Sequence, residues 1–200
     1  MDPIDRPLTD YPRPSVAVDT AVLTVRGAEL YVGLVPGRPR LPGAFLHEGE
    51  TLAGAVRRSL AQKAGLEGVA PAQLHVFDAL DRDSRGWVLS VAHVVVVPAE
   101  STGALELVPT SAATGLDFDH DAIVEQAARW IRDRYVDHPD PEHLLGPELT
   151  LRDLRRVHEA VHGAALQPDT FRRAMLPRLE PTGQRRRGDV GKPAQLFRRR

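Results

Sequence analysis

The stretch SVAVDTAVLTVRGAELYVGLV, residues 15–35, constrains the fold more than any other part of this chain. Apolar and small polar side chains alternate with a period of two as far as residue 25, Arg26-Gly27 supplies a turn, and the alternation then resumes. A helix would scatter those side chains around its circumference, whereas paired strands put them on one face. The folded body therefore begins with a hairpin, and later elements must pack against it. The period then changes. After the Gly/Pro loop RPRLPGAFLHEGE, Thr51 is placed to cap a helix running to about Lys63, with Gly65 closing it. LHVFDAL and WVLSVAHVVVVPA read as strands around the turn DRDSRG, and the second is apolar at nearly every position, as a central strand is. Residues 101–120 read as irregular. Asp119 or Asp121 starts a linker helix over about residues 121–135, with Ile123, Ala127, Trp130 and Ile131 on one stripe. Strands, one helix, more strands and later helices predict a mixed α/β body over residues 15–140, preceded by an N-terminal segment, residues 1–14.

Several classes of function fall away. The chain has no cysteine, which excludes disulfides, zinc-thiolate sites and thiol nucleophiles. The proline-broken acidic start is unlike a signal peptide, and the longest apolar run, residues 88–99, is well short of the roughly 20 residues that span a bilayer. A cytoplasmic protein without membrane contact is expected. The net charge of −1 conceals an asymmetry: residues 1–140 carry a balance of −7 and residues 141–200 one of +6. A basic final third on an acidic body points to a polyanionic partner.

That final third follows a linker-like stretch, VDHPDPEHLLGPE, which sets a boundary near residue 141. Thr150 and Asp153 form an approximate capping box, and Leu151, Leu154, Val157 and Val161 make the buried face of a helix. Pro168 opens a second helix, whose Phe171 and Met175 point inward and whose Thr170, Arg172 and Arg173 point out. A strand, a basic loop over residues 183–191 and a returning strand complete a winged helix-turn-helix over residues 141–200, with Arg185, Arg186 and Arg187 at the wing tip. The candidate DNA contacts are Thr150, Thr170, Arg172, Arg173, Arg185, Arg186, Arg187 and Lys192. A basic hairpin that packs against another protein is the alternative.

The segment GAFLHEGETLAGAVRRSLAQKAGL resembles the Nudix box, G-x5-E-x7-R-E-U-x-E-E-x-G-U, where U is aliphatic. Glu50, Arg58, Leu60, Gly65 and Leu66 match; Ala44 replaces the first glycine, while Ser59, Gln62 and Lys63 replace three glutamates. Diphosphate cleavage needs a hard divalent cation held by carboxylates. Three glutamates at those positions would share one helix face, and a hydroxyl, an amide and an ammonium do not replace them. Arg58 and Lys63 can instead stand in for metal charge beside a bound diphosphate. The expectation is a pocket that binds nucleotide diphosphates with little or no hydrolysis and needs no magnesium or other cofactor; the alternative is a merely solvated surface helix with Arg58 paired to a carboxylate. Its candidate residues are Glu50, Arg58 and Lys63, joined by Phe45 to stack on a base and by Arg40, Arg82 and Arg85 to clamp phosphates. Catalytic and metal-ligating residues are expected to be absent.

Taken in order, LPGAFLHEGETL, DRDSRGWVLSVAHV, FDHDAI, LTLRDLRRVHEAVHG and LEPTGQRRRGDVGKPAQLFR make the chain similar to the Nudix-related transcriptional regulators, the NrtR family. The resemblance implies a Nudix-like α/β/α domain followed by a winged helix. It further implies a homodimer on a palindromic double-stranded operator, repressing genes of NAD biosynthesis or salvage and released by ADP-ribose or a related NAD metabolite. Some relatives regulate sugar utilisation instead. The rival is an ADP-ribose hydrolase that recruits carboxylates from outside the box, Glu48 or Asp83. Relative to the family, the loop VPGRPRLPGAF is short and lacks a tryptophan before its Leu-Pro-Gly.

Overall fold

The computed structural model describes residues 7–187 and 193–200. β1 (Ser15–Arg26) and β2 (Glu29–Leu34) form the expected hairpin, followed by β3 (Gly43–Phe45), α1 (Leu52–Ala64), β4 (Ala72–Phe77), β5 (Val88–Val96), β6 (Glu106–Pro109) and α2 (His120–Arg134). The strands make one mixed sheet in the order β4-β5-β1-β2-β6. β5 runs parallel along one edge of β1, while the other edge is shared, its first half by β3 and its second by β2, both antiparallel. β5 lies between β4 and β1, which accounts for its continuous apolar run. β3 and β6 arise in segments expected to be irregular; they are three and four residues long, too short for a period to register.

The alternation along β1 divides the core between two faces. Val18 and Val22 meet Ala55, Val56 and Leu60 of α1, while Ala21 and Leu23 meet Ile123, Ala127 and Ile131 of α2. This is the α/β/α arrangement. Both ends of α1 are as the sequence dictates: Thr51 accepts the Gly54 N–H at 3.1 Å, and Gly65 sits at φ 68°.

The C-terminal part comprises α3 (Leu151–His162), α4 (Pro168–Met175), β7 (Leu179–Arg186) and β8 (Ala194–Arg199). Its small core is Leu149, Leu154, Phe171, Met175, Leu179 and Phe197. The opposite face of α3 turns the other way, where Val157 and Val161 are buried in the core of the sheet and α2. Composition marks residues 136–148 as a linker, yet Asp140 is fully buried. It accepts the Tyr135 hydroxyl at 2.7 Å and the Leu144 and Leu145 N–H groups at 2.9 Å, and it pairs with Arg199 of β8. The connection is therefore clamped to both parts. Among the described residues no helix is long and apolar enough to cross a membrane.

Candidate functional site: a nucleotide-sized cleft and an arginine-faced winged helix

A cleft of about 430 Å³ opens where β1, β3, the C-terminal half of α1, the β4–β5 turn and the start of α2 meet. That volume suits a small organic ligand. Six of the seven expected residues line it: Arg40, Phe45, Arg58, Lys63, Arg82 and Arg85. Glu50 does not. It holds Arg58 instead, accepting from Nε at 2.9 Å and from Nη2 at 2.7 Å, and Arg58 also donates to the Phe45 carbonyl at 2.9 Å. The Arg58 hydrogen bonds hold the Glu50 carboxyl at about 2, with help from the His47 N–H. The pair therefore ties the loop to α1, and the expectation of a free Arg58 standing in for metal is corrected accordingly.

Lys63 lines the cleft and is not tied in that way. Its ammonium donates to the Gly43 carbonyl, and among the described residues no carboxylate bonds it. Partial burial pulls it below the usual lysine range, countered by the charge of Asp19, while Arg40 and Arg58 add repulsion. Gln62 stands beside it on the cleft wall. Ser59 does not share their face: it is fully buried with no partner for its hydroxyl, because its position on α1 turns with Val56 and Leu60 toward the sheet.

Asp19, His120 and Phe118 are not among the residues the sequence singles out. Asp19 interrupts the apolar alternation in the middle of β1, and that interruption is the available signal. It accepts the Ser90 hydroxyl at 2.6 Å, and its Oδ1 lies 3.3 Å from His120 Nε2. Because His120 Nδ1 accepts the Leu41 N–H at 3.0 Å, a neutral ring carries its proton on Nε2, facing Asp19. Burial alone would raise the Asp19 carboxyl; His120, Ser90 and Arg82 hold it below the ordinary range. Gly43 is required here, since a Cβ in its place would stand 1.9 Å from Asp19 Oδ1. Arg82, read as a phosphate clamp, is almost wholly buried and gives Nε and Nη2 to Asp119 at 2.8 and 2.6 Å. It is a strut between that carboxylate and Asp19, 3.6 Å away. Phe118, 44% exposed, holds φ at 60°, a conformation costing roughly 1–3 kcal/mol in a residue with a side chain.

The residues present do not fit the magnesium that an intact Nudix box holds. Each acidic side chain on the cleft wall is already engaged, Asp19 as described and Asp83 by Arg85 at 2.6 and 2.9 Å, and the Lys63 ammonium stands where a box glutamate would. Glu48, the other proposed carboxylate, lies outside the cleft lining.

In the C-terminal part α3 and α4 form the helix pair, and β7 and β8 form the wing, widened by a bridge between Leu149 and Phe197. Thr170, Arg172 and Arg173 are exposed on α4. Thr150 is buried and spends its hydroxyl on the cap of α3, with Asp153 completing the box, so it is not an open DNA contact. Arg185 and Arg186 stand on strand β7 rather than in the loop, because β7 runs to Arg186, and Arg186 pairs with Asp153. Arg187 follows directly and is exposed. Lys192 and residues 188–191 of the expected loop lie outside the described residues. Arg152 and Arg156, exposed on α3, join the basic surface without having been expected there; their spacing on the outer side of an amphipathic helix is the signal.

A degenerate Nudix-type fold bearing an arginine-faced winged helix defines a two-part protein, one part shaped for a small ligand and the other for a duplex. Residues 141–199 match the family model of the NrtR DNA-binding winged helix domain. The ADPR responsive transcriptional repressor NtrR of Acinetobacter baylyi is 29% identical over 211 residues, covering 95% of this chain and 84% of its own. The crystal structure of Shewanella oneidensis NrtR complexed with a 27mer DNA superposes with a TM-score of 0.76 at 28% identity, covering 92% of this chain and 93% of that one. The Nudix domain of the same Shewanella protein, in complex with ADP ribose, gives 0.55 at 25% identity over 64% and 95%. An ADP-ribose pyrophosphatase of Methanocaldococcus jannaschii is 31% identical over 96 residues, 45% of this chain and 57% of its own. Over nearly all of its length the chain is similar to NrtR transcriptional regulators, and its residues 141–199 match the NrtR DNA-binding winged helix domain.

Proposed function

We propose that this protein is a ligand-responsive DNA-binding repressor. It holds a palindromic operator as a cytoplasmic homodimer and leaves it when ADP-ribose or a related NAD metabolite enters the Nudix cleft. The regulated genes are those of NAD biosynthesis or salvage. The observation that carries this reading is the pairing within one chain of exposed recognition-helix arginines that bond no acid among the described residues and a cleft whose carboxylates are engaged. Two recognition helices related by a dyad read half-sites about 34–36 Å apart. An effector releases them only by as much as it prefers the arrangement with the wrong spacing.

A gel-shift on the promoter of the neighbouring genes, titrated with ADP-ribose, NAD and a sugar phosphate, tests the reading. A shifted band that disappears on adding ADP-ribose supports it. Absence of sequence-specific binding at moderate salt, with or without ligand, overturns it in favour of a protein-binding wing. The likeness to a pyrophosphatase keeps hydrolysis as the second reading. Turnover of ADP-ribose with magnesium at about 1 s⁻¹ or faster would establish it; we expect none, because among the described residues the cleft wall offers a metal no uncommitted carboxylate.

A further inference from the structure

Two exposed aromatic rings from distant parts of the chain line the cleft. Phe45, at the end of β3, is 40% exposed, and Phe118, just before α2, is 44% exposed. Rings left in water on a folded surface forgo their own burial, and Phe118 does so on a left-handed backbone that phenylalanine disfavours. Such a position persists when something nearby uses it. A guanidinium already uses both rings: Arg85 Cζ lies 5.4 Å from the Phe45 centroid and 5.6 Å from that of Phe118. Arg85 is anchored from behind by Asp83, whose Oδ1 accepts the Arg85 backbone N–H at 3.0 Å and its Nε–H at 2.9 Å, while Oδ2 accepts Nη2–H at 2.6 Å. Arg40 stands farther out over Phe118, at 6.0 Å.

We propose that Arg85 is a stand-in ligand, a planar cation held against Phe45 and Phe118 that a nucleobase displaces when a nucleotide binds. A guanidinium and a purine both offer a flat π-face to an aromatic ring, so the surface that holds one accepts the other. Displacement leaves the turn intact, because the Arg85 backbone N–H keeps its bond to Asp83 while only the side chain swings out. The arrangement also selects. A ligand with a base gains stacking in exchange for the cation–π attraction it ends, whereas a sugar phosphate has no face to offer and leaves Arg85 in place. The cleft therefore favours nucleotides over sugar phosphates by what one stacked base is worth beyond the cation–π attraction and the Asp83 side-chain bonds that it ends. This inference rests on the reading of the cleft as the effector site.

Calorimetry on the full chain with ADP-ribose, adenosine and ribose 5-phosphate tests it. Phe118→Leu, which keeps apolar bulk but removes the ring, should weaken ADP-ribose and adenosine about tenfold, the size of one base stack. It should leave ribose 5-phosphate unchanged, and Phe118→Tyr should restore binding. Arg85→Ala should tighten adenosine severalfold, since adenosine carries no phosphate to miss the charge. Equal weakening of all three ligands by Phe118→Leu, or weaker adenosine binding by Arg85→Ala, overturns the stand-in. So does ADP-ribose binding that survives Phe118→Leu undiminished, although the effector reading then stands. A wild-type chain that binds no base-bearing ligand overturns both.

Discussion

The cleft and the recognition surface both hold arginines, and the two sets are treated oppositely. In the cleft each guanidinium has a carboxylate: Arg40 with Asp117, Arg58 with Glu50, Arg82 with Asp119 and Arg85 with Asp83. On α4 and the end of the wing, Arg172, Arg173, Arg185 and Arg187 are exposed and bond no acid among the described residues. A paired cation is fixed in place and already neutral, so it can shape a site without adding much net charge. An unpaired surface cation keeps its attraction for phosphates and gives up counterions when it binds them. The acidic body and the basic third of the sequence thus express two uses of one residue type. Lys63 is the exception within the cleft, a cation resting on a carbonyl.

The largest effect should come from Arg172→Ala with Arg173→Ala. Quantitative gel-shifts should show binding weakened by about 1–3 kcal/mol for each base-reading side chain removed, with relaxed sequence preference. Unchanged operator affinity would erase the distinction between the two arginine sets.

Acid should act next, on the joint between the two parts. His158, fully buried between Tyr135 and Phe171, is pushed down to about 4, chiefly by desolvation and then by the charge of His162. The unfolded chain binds that proton below about pH 6.5, the folded one only below about 4. Stability should therefore fall by about 3 kcal/mol between those values at 1.36 kcal/mol per unit, and level off beneath. His158→Phe should flatten that stretch of a denaturation–pH profile.

In the wing, neutralising Arg185, Arg186 and Arg187 together should flatten the salt dependence of binding. Every phosphate no longer neutralised takes about 0.9 from the slope. Because Arg186 is already paired with Asp153, a fall nearer two phosphates than three is expected. A full three would mean that this pair opens on DNA.

Smaller still is the split within the Nudix box. Lys63→Gln should raise the effector concentration needed for release about tenfold, a shift of about 1.4 kcal/mol, and spare operator binding. Arg58→Gln should instead lower the melting temperature, since it unties Glu50 and the Phe45 carbonyl. Equal effects on effector response would show that Arg58 is still an anion receptor. Glu50, held at about 2, keeps its pair at any pH above its unfolded value of 4.5 and loses it as pH falls toward 2, so the melting difference should vanish only in strong acid.

What can be read from the sequence is local. The hairpin of β1 and β2, both caps of α1, the box at Thr150 and Asp153, and the inward pair Phe171 and Met175 follow from period and capping chemistry within a dozen residues. Six of the cleft residues are also legible, Arg58 and Lys63 by their register in the box and Arg40, Phe45, Arg82 and Arg85 as charges or a ring in segments that read as loops. Asp19, His120 and Phe118 are not, because about a hundred residues of chain separate β1 from α2, and only the sheet order brings them together. Proline and charge make residues 136–148 look open, and no local pattern reveals that Tyr135, Arg199 and two backbone amides converge on Asp140. Ser59 misleads for a simpler reason: at 100° per residue, positions 59 and 63 sit close enough to look like one face, and the edge of the buried stripe falls between them.

The two faces of α3 bear on how such a protein can be recombined. Leu154 belongs to the core of the winged helix, and Val157 and Val161 to the core of the sensor. Cut at residue 141, the DNA reader would carry a bare apolar stripe, and the sensor would be left with the matching hole. The reader is therefore not an interchangeable cassette. A chimera that grafts it onto another sensor must also carry over the part of β1, β2 and α2 that covers those two valines, and so would have to keep the scaffold behind the cleft.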